Sequence, residues 1–330
     1  MQKRWQNRVA ESNFTLPLMT LYGIGVWVAS GLVAHHWWGQ LACFAVSVYL
    51  MIELSNSNAL LRVRSRMVSS TFIALSCLLC GQFGSLSGGI VQLCMVAAII
   101  ILFRTYQHRQ LPGLVYYAFL CIGLGTTVFA RLFYFVPVLW LLMATQLQSL
   151  GWRSWLASLL GLATPYWFGS LWFIYQQDFA PLGDHFAQLA QVATGSDYLS
   201  ALLSLSIGQS AAFVLTMVLT LMGMMHFWYM SFEDKIRIRL LYGFFAVLCL
   251  LSALFLLLQP QHYDVLMRLV IVSGSPFVAH YFTLTHSRFT NIMFCVALVL
   301  TLVLMLFNLL TMLVEPLSYL NPTWSGLLIS

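Results

Sequence analysis

The sequence predicts an all-α protein with a single domain, residues 1–330, built as a polytopic bundle of about 11 transmembrane helices. Of the 330 residues, 61% are hydrophobic and 7% are charged, whereas soluble domains carry about 25% charged residues. A soluble fold of this length cannot bury so much apolar surface. The lipid bilayer is therefore the expected partner of most of the chain.

Eleven apolar runs approach the length of about 20 residues that a membrane-spanning helix needs. The first run has no small-residue cleavage site, so we expect a retained helix and not a signal peptide. The runs lie at residues 14–34, 38–53, 67–84, 88–103, 113–129, 131–147, 155–175, 205–230, 240–259, 264–283 and 290–314.

Basic residues fall unevenly on the two sides of this arrangement. Of the 15 Lys and Arg residues, all but Arg131 and Arg268 lie on one side. Because Lys and Arg are enriched in cytoplasmic loops, the pattern predicts an N-terminus inside and a C-terminus outside. The expected location is a bacterial inner (cytoplasmic) membrane. The net charge of +6 follows from this topology and does not indicate a nucleic-acid partner.

Arg131 interrupts the apolar stretch "VFARLFYFVPVLW" at residues 128–140. It predicts an outer hairpin that divides residues 113–147 into two helices. Without that hairpin, every later loop would change sides and the basic clusters would lie outside, against the orientation rule.

One outer loop is long, at residues 176–203. Leu182, Phe186 and Leu189 recur in it at helical spacing, which predicts a short amphipathic helix over residues 182–193 with these side chains facing lipid. Asp184 and the pair Ser196 and Asp197 suit helix N-caps.

Arg131 and Arg268 are the candidate substrate-binding residues. An arginine can hold a phosphate through two parallel hydrogen bonds, which suits a lipid-linked phosphate at the outer leaflet. Asp184 and His185 are the candidate catalytic residues, since a carboxylate or imidazole beside a bound phosphate can act as general base. The alternatives are that the arginines reach lipid headgroups or cap helix ends, and that the acids cap helices.

No metal site or cofactor is expected from the sequence. All seven cysteines lie inside apolar runs, which is typical of small buried hydrophobic residues. His226 and His280 are expected to be hydrogen-bonded structural residues. Glu53 is expected to pair with the basic group Arg62, Arg64 and Arg66, and Asp264 with Arg268, one turn away. The scarcity of ionisable residues at depth argues against a proton- or sodium-coupled pump.

The segment "RLVIVSGSPF", residues 268–277, places Pro276 inside a predicted span. Proline removes a backbone donor. The segment therefore predicts either a kink whose carbonyls are satisfied by neighbours or a broken helix that exposes backbone groups to a substrate.

Three stretches carry a resemblance to a known family. They are "NSNALLRVRSRMVSS" (56–70), "YYAFLCIGLG" (116–125) and "FVPVLWLLMATQLQSLGWRSWLASLLGLATPYWF" (135–168). The chain resembles an uncharacterised family of multi-pass inner-membrane proteins of Bacteroidota. This resemblance implies a membrane fold and brings no activity or site residues.

Three functions remain open from the sequence. The first is an envelope protein that handles a lipid-linked phosphate or glycan at the outer leaflet, favoured by the two outer arginines and the long outer loop. The second is a non-enzymatic subunit of an envelope assembly or secretion complex, with other membrane proteins as partners. The third is an uncoupled transporter or flippase.

Overall fold

The computed structural model describes residues 5–63, 65–191 and 195–320, with side chains described as far as residue 314. All regular secondary structure in these residues is helical, which confirms the all-α part of the predicted fold class. The α-helices are α1 Trp5–Glu11, α2 Thr15–Ala29, α3 Trp38–Asn58, α4 Met67–Ser76, α5 Leu86–Phe103, α6 Pro112–Val128, α7 Phe135–Thr145, α8 Trp152–Gln176, α9 Ala180–Ala190, α10 Ser196–Leu203, α11 Ile207–Met230, α12 Ile236–Leu258, α13 Tyr263–Leu284 and α14 Arg288–Leu320. Short 3-10 helices cover Cys77–Gln82, Ala130–Tyr134, Ser231–Glu233 and Pro260–His262.

Six helical segments in the described residues are long and apolar enough to cross a membrane. They contain α3, α5, α11, α12 and α13, and the part of α14 from Arg288 to Val314. Four further apolar segments are shorter, with 10 to 17 residues each: Thr15–Ala29, Met67–Gln82, Pro112–Val128 and Ala130–Thr145. The presence of several membrane-capable helices is confirmed, and the count of eleven spans stays a prediction.

Helix α13 lies at the centre of the bundle. All of its residues except Asp264 and Leu284 are buried, and it packs against α4, α5, α11 and α12. It runs unbroken through Pro276, so the broken-helix alternative is wrong for this segment. The Ser273 and Ser275 hydroxyls donate to carbonyls one turn earlier, at 2.7 and 2.5 Å.

The interruption in the bundle falls instead at the end of α4. Helix α4 passes into the 3-10 helix Cys77–Gln82, in which Leu79 has a non-helical backbone with φ −91° and ψ 27°. Two of the carbonyls here gain partners from other helices. Asn308 of α14 donates to the Leu78 oxygen at 2.9 Å, and Arg268 of α13 donates to the Gln82 oxygen at 2.7 Å.

Helices α6 and α8 pack closely because glycine stands at their contact. A Cβ atom on Gly161 would overlap the Tyr116 carbonyl oxygen and lie 2.9 Å from the Leu120 amide nitrogen. Backbone atoms of a packed helix cannot give way as a flexible side chain can. On the same helix, a Cβ atom on Gly169 would meet no atom within 4 Å.

We therefore expect Gly161→Ala to lower the free energy of unfolding by about 1–3 kcal/mol, the usual cost of overpacking. Gly169→Ala should be neutral, or stabilising by up to about 1 kcal/mol through helix propensity. Denaturant unfolding of both variants in detergent measures the difference. Equal stability of the two would show that α6 and α8 do not pack as closely as described.

Candidate functional site

Charged side chains gather at two opposite ends of the bundle, which we name by one arginine each. The Arg131 end contains Arg131, Asp264 and Arg268. The Arg62 end contains Arg62, Glu233 and Asp234. Helix α13 joins the two ends. Its first turn contains Asp264, and His280 in its last turns lies next to Asp234.

Arg131 lies on the 3-10 helix between α6 and α7, so the long apolar run is divided into two helices as predicted. The residue is 8% exposed. Its Nη2 atom donates to the Gln191 carbonyl oxygen at 3.0 Å, at the C-terminal end of α9. The Tyr134 hydroxyl donates to the Leu189 carbonyl oxygen in the same turn. Arg131 and Tyr134 thus attach α9 to the hairpin.

Arg268 is neutralised within its own helix. Its Nε atom donates to Asp264 Oδ1 at 2.8 Å, which confirms the predicted ion pair. Its Nη2 atom donates to the Gln82 oxygen, at the end of the 3-10 helix that follows α4. A Cβ atom on Gly88 would come within 2.7 Å of Arg268 Nε, so the glycine leaves room for the pair.

The two candidate arginines bind different groups. Each donates to a carbonyl at the C-terminal end of a helix, where a cation is favoured by the unpaired carbonyls and the helix dipole. Helix capping was one of the alternatives that the sequence left open. Arg131 differs from Arg268 in having no ion pair with a carboxylate in the described part of the chain.

The long loop contains two helices, α9 and α10, separated by residues 192–194, which lie outside the described residues. Helix α9 begins and ends earlier than the predicted 182–193. Its Phe186 ring packs 5.3 Å from Tyr166 and 6.1 Å from Phe133, centroid to centroid. The α8 helix and the hairpin thus cover part of this face, while 40% of Phe186 stays exposed. That the face meets lipid stays a prediction.

The candidate catalytic residues both lie on α9. Asp184 is exposed and stands inside the helix, so it does not cap the N-terminus. The Asp178 carboxylate instead accepts from the Ala180 amide at 2.9 Å. His185 Nε2 lies 3.2 Å from the Tyr166 hydroxyl. Among the described contacts, neither Asp184 nor His185 touches Arg131.

The Arg62 end holds a partly buried ionic cluster that the sequence did not indicate. Arg62 Nε lies 2.6 Å from Asp234 Oδ1, and its Nη1 atom pairs with Glu233. Among the described residues, Glu53 does not form the predicted pair with Arg62 or Arg66. Glu53 lies 3.9 Å from Arg104 instead, and Arg64 lies outside the described residues.

His280 of α13 completes this cluster. It is 1% exposed, and its Nε2 atom lies 3.5 Å from Asp234 Oδ2, close enough for a Coulomb interaction but not aligned as a hydrogen bond. The His226 ring of α11 lies 5.6 Å away, centroid to centroid. Both His280 nitrogens and His226 Nδ1 lack an aligned hydrogen-bond partner in the described structure. The expectation of hydrogen-bonded structural histidines is therefore not confirmed for His280 and stays a prediction for His226.

The loop residues of this cluster have shifted pKa values. Burial alone would raise the pKa of the Asp234 carboxyl, but the nearby His280 and Arg62 side chains outweigh it and lower the pKa to about 2. The hydrogen bond from Arg62 to Asp234 raises the pKa of the guanidinium further. Asp234 is thus a stable anion at neutral pH.

A polar depression of about 660 Å³ opens where the α5–α6 and α7–α8 connections meet. Arg109 and His108 are its ionisable lining residues. Gln107 and Gln148, which also line it, have left-handed backbones with φ 59° and 51°. Among the described residues, no group of three or more His, Cys, Asp and Glu side chains is arranged to hold a metal ion.

We expect the Asp234 carboxylate to contribute about 2 kcal/mol to stability at neutral pH, because its pKa of about 2 lies below the ordinary value near 3.9. This contribution is present above about pH 4 and is lost as the pH falls towards 2. Asp234→Asn should remove it, and unfolding followed at pH 7 and at acid pH in detergent measures the loss. Glu233→Gln is the control, since 46% of that side chain is exposed and the pair should contribute under about 1 kcal/mol. An equal loss of stability from both variants would contradict the assignment of this contribution to Asp234.

Comparison with protein-family models, with curated proteins and with solved structures finds no match. The resemblance to the Bacteroidota family therefore stays a prediction, and the functional argument depends on the contacts described above.

Proposed function

We propose that the protein is a multi-pass inner-membrane protein of the cell envelope that binds the phosphate of a lipid at the outer leaflet through Arg131. The observation that carries this proposal is the burial of Arg131 without a carboxylate partner in the described residues. A buried cation is costly unless an anion or several strong acceptors compensate it.

The carbonyl end of α9 compensates Arg131 only in part. A helix C-terminus carries roughly half of a negative charge, whereas a phosphate carries a full charge and matches the two-pronged guanidinium. Helix α9 has an apolar face, and its C-terminal end is held by hydrogen bonds from the hairpin. An amphipathic helix of this kind suits a position at the level of lipid headgroups. A headgroup phosphate would compete with the Gln191 carbonyl for Arg131.

Arg268 is not part of this proposal, because Asp264 already neutralises it. The proposed site therefore consists of Arg131 alone and not of both candidate arginines. His185 remains the candidate general base if the bound lipid is a reactant, since the Tyr166 hydroxyl orients its ring. Asp184 is the weaker candidate, because it faces solvent.

The eleven spans, with the Arg62 end in the cytoplasm, are part of the same proposal. The contact of α1 with the last turns of α13 supports it: Gln6 Nε2 donates to the Phe282 carbonyl at 2.5 Å, so α1 lies at the Arg62 end with the basic loops. Positive residues favour the cytoplasmic side.

Reporter fusions after Asp234 and after Gln191 should therefore report opposite compartments, with Asp234 in the cytoplasm. Alkaline phosphatase and a fluorescent protein that folds only in the cytoplasm give complementary readouts. The same compartment for both positions would exclude the proposed topology.

Arg131→Gln should weaken binding of a lipid phosphate about ten- to a hundredfold, the loss expected from one charge-assisted hydrogen bond of roughly 1.5–3 kcal/mol. Arg131→Lys should be partly defective, since it keeps the charge and loses the two-pronged geometry. Purified protein is titrated with phosphatidate, with a polyprenyl phosphate and with inorganic phosphate, to distinguish a free lipid from a lipid-linked carrier.

Arg153→Gln is the matched control for this experiment. It makes the same change in charge at an exposed position in the first turn of α8 and should leave binding unchanged. Unchanged binding by Arg131→Gln, or an equal loss in Arg153→Gln, would refute the proposed site.

A further inference from the structure

We propose that the polar depression between the α5–α6 and α7–α8 connections binds a phosphate ester of a polyol, with Arg109 holding the phosphate. The depression lies at the Arg62 end of the bundle. Tyr106 in the α5–α6 connection places it there, because its ring centroid lies 5.6 Å from the guanidinium carbon of Arg237 in the first turn of α12. The site is therefore separate from Arg131 and does not depend on the proposed binding of a lipid phosphate there.

The two connections that form the depression are fixed to each other by hydrogen bonds. The Gln107 amide donates to the Leu147 carbonyl oxygen at 2.8 Å. The Ser154 hydroxyl, in the first turn of α8, donates to the Arg109 carbonyl oxygen at 3.4 Å. The backbone on which Arg109 stands is thus attached to both ends of the α7–α8 connection, and the depression of about 660 Å³ is preformed.

The polar side chains that line the depression have donors that no protein group uses. The lining consists of one apolar and five polar residues, namely Leu111, Gln107, His108, Arg109, Gln110 and Gln148. Among the described contacts, none of the five polar side chains makes a hydrogen bond or an ion pair with the protein. A guanidinium offers two parallel donors that match a phosphate, and amide groups both donate to and accept from hydroxyls.

Among the described contacts, no carboxylate pairs with Arg109. The chain has no Asp or Glu between Glu53 and Asp178, a stretch that contains α4 to α8 and both connections. Glu53, at the end of α3, lies 3.9 Å from Arg104. The positive charge of Arg109 is therefore open to an anion from outside the chain.

The other charged residues at this end are occupied elsewhere or are also positive. Glu233 and Asp234 both pair with Arg62. Lys235 and Arg239 are exposed near the start of α12 and add positive charge to the same end. Helix α1, which carries one base and one acid in its described residues, packs on α13 and α14 and not on the two connections. The field at this end thus attracts anions.

Two further cations near the depression are turned away from it. The guanidinium of Arg153 lies over the Trp152 ring, 5.7 Å from its centroid. Arg237 lies over Tyr106 and donates to the Asn58 side chain at 3.0 Å. Neither lines the depression, so Arg109 is the cation that a ligand there meets.

Two helices begin beside Arg109, and their first amides add to the attraction for an anion. Helix α6 begins at Pro112, directly after the lining residue Leu111. Before α8, a Cβ atom on Gly151 would lie 3.9 Å from the Arg109 carbonyl oxygen. Neither helix has a side chain that caps its N-terminus, and each carries roughly half of a positive charge there. These amides support a site that the cavity and Arg109 define.

The size and polarity of the depression select the class of ligand. Its volume of about 660 Å³ falls within the range of about 300–1,000 Å³ that is usual for small-molecule sites. Leu111 is its one apolar lining residue, so a hydrocarbon tail is not accommodated. The three glutamine amides suit the hydroxyls of a glycerol or a sugar. Such an ester is either a soluble compound or the headgroup of a phospholipid in the adjacent leaflet.

Binding to purified full-length protein that carries Arg131→Gln tests the proposal, because this background removes the other proposed phosphate site. Glycerol phosphate is titrated by calorimetry in detergent. Phosphatidylglycerol is added to phosphatidylcholine nanodiscs, and the bound molecules are counted by native mass spectrometry. Arg109→Gln should weaken binding about ten- to a hundredfold, the loss expected from a charge-assisted hydrogen bond.

Two further variants show whether the depression itself is the site. Arg104→Gln makes the same change in charge at an exposed position of the same connection that does not line the depression. It should change the affinity less than about threefold, because exposed charges are screened by salt. Gln148→Glu keeps Arg109 and adds a carboxylate to the lining, so it should weaken binding as strongly as Arg109→Gln. Circular dichroism checks the helicity of each variant.

The two probes distinguish the sources of the ligand. Glycerol phosphate binding that depends on Arg109 supports a soluble ester, whereas Arg109-dependent binding of phosphatidylglycerol alone supports a headgroup. Binding of neither probe would overturn the site. So would equal losses in Arg109→Gln and Arg104→Gln, which indicate diffuse attraction, or unchanged binding in Arg109→Gln and Gln148→Glu.

Discussion

Helix α13 is enclosed by protein on every side, and the surrounding structure has to satisfy the polar groups that it carries. Buried polar groups need partners because their lost hydration is not otherwise replaced. At one end, Asp264 neutralises Arg268 within the helix. At the other end, His280 faces Asp234, which comes from the loop after α11. In the middle, a Cβ atom on Gly223 of α11 would lie 2.5 Å from the Phe277 carbonyl oxygen, so glycine is required for α11 to approach.

Two arginines at the same end of the bundle make the same kind of hydrogen bond but differ in how their positive charge is compensated. Arg131 and Arg268 each donate to a carbonyl at the end of a helix, and so each attaches a neighbouring element to the bundle. Arg268 also has a carboxylate one turn away, whereas Arg131 has a carbonyl as its described acceptor. This difference in compensation, and not the position in sequence, makes Arg131 the better candidate for an anionic ligand.

At the Arg62 end, one arginine connects two loops of the bundle through ion pairs and hydrogen bonds. Arg62, from the α3–α4 connection, binds Asp234, 172 positions later in the chain. The same guanidinium reaches the Met230 carbonyl at the end of α11 at 3.1 Å. One cation thus joins two connections and one helix end, and of its two carboxylate partners only Asp234 is buried.

The candidate sites were only partly predictable from sequence. The hairpin at Arg131 was predicted, because one charge in a long apolar run has few places to lie. The pair of Asp264 and Arg268 was predicted too, because residues four apart share a helix face. The cluster of Arg62, Asp234 and His280 was missed, since its members come from three distant segments and no local pattern marks such a set.

The sequence by itself determined that the chain is helical and belongs in a membrane, because hydrophobic composition and run length depend on residue type alone. It also located the ends of most helices, where polar and basic residues interrupt apolar runs. Only the tertiary structure decided that α13 is central, that α4 is interrupted at Leu79, and that α9 packs on Phe133 and Tyr166. These features depend on which faces of uniformly apolar helices meet, and a helix that is apolar on all sides carries little information about its neighbours.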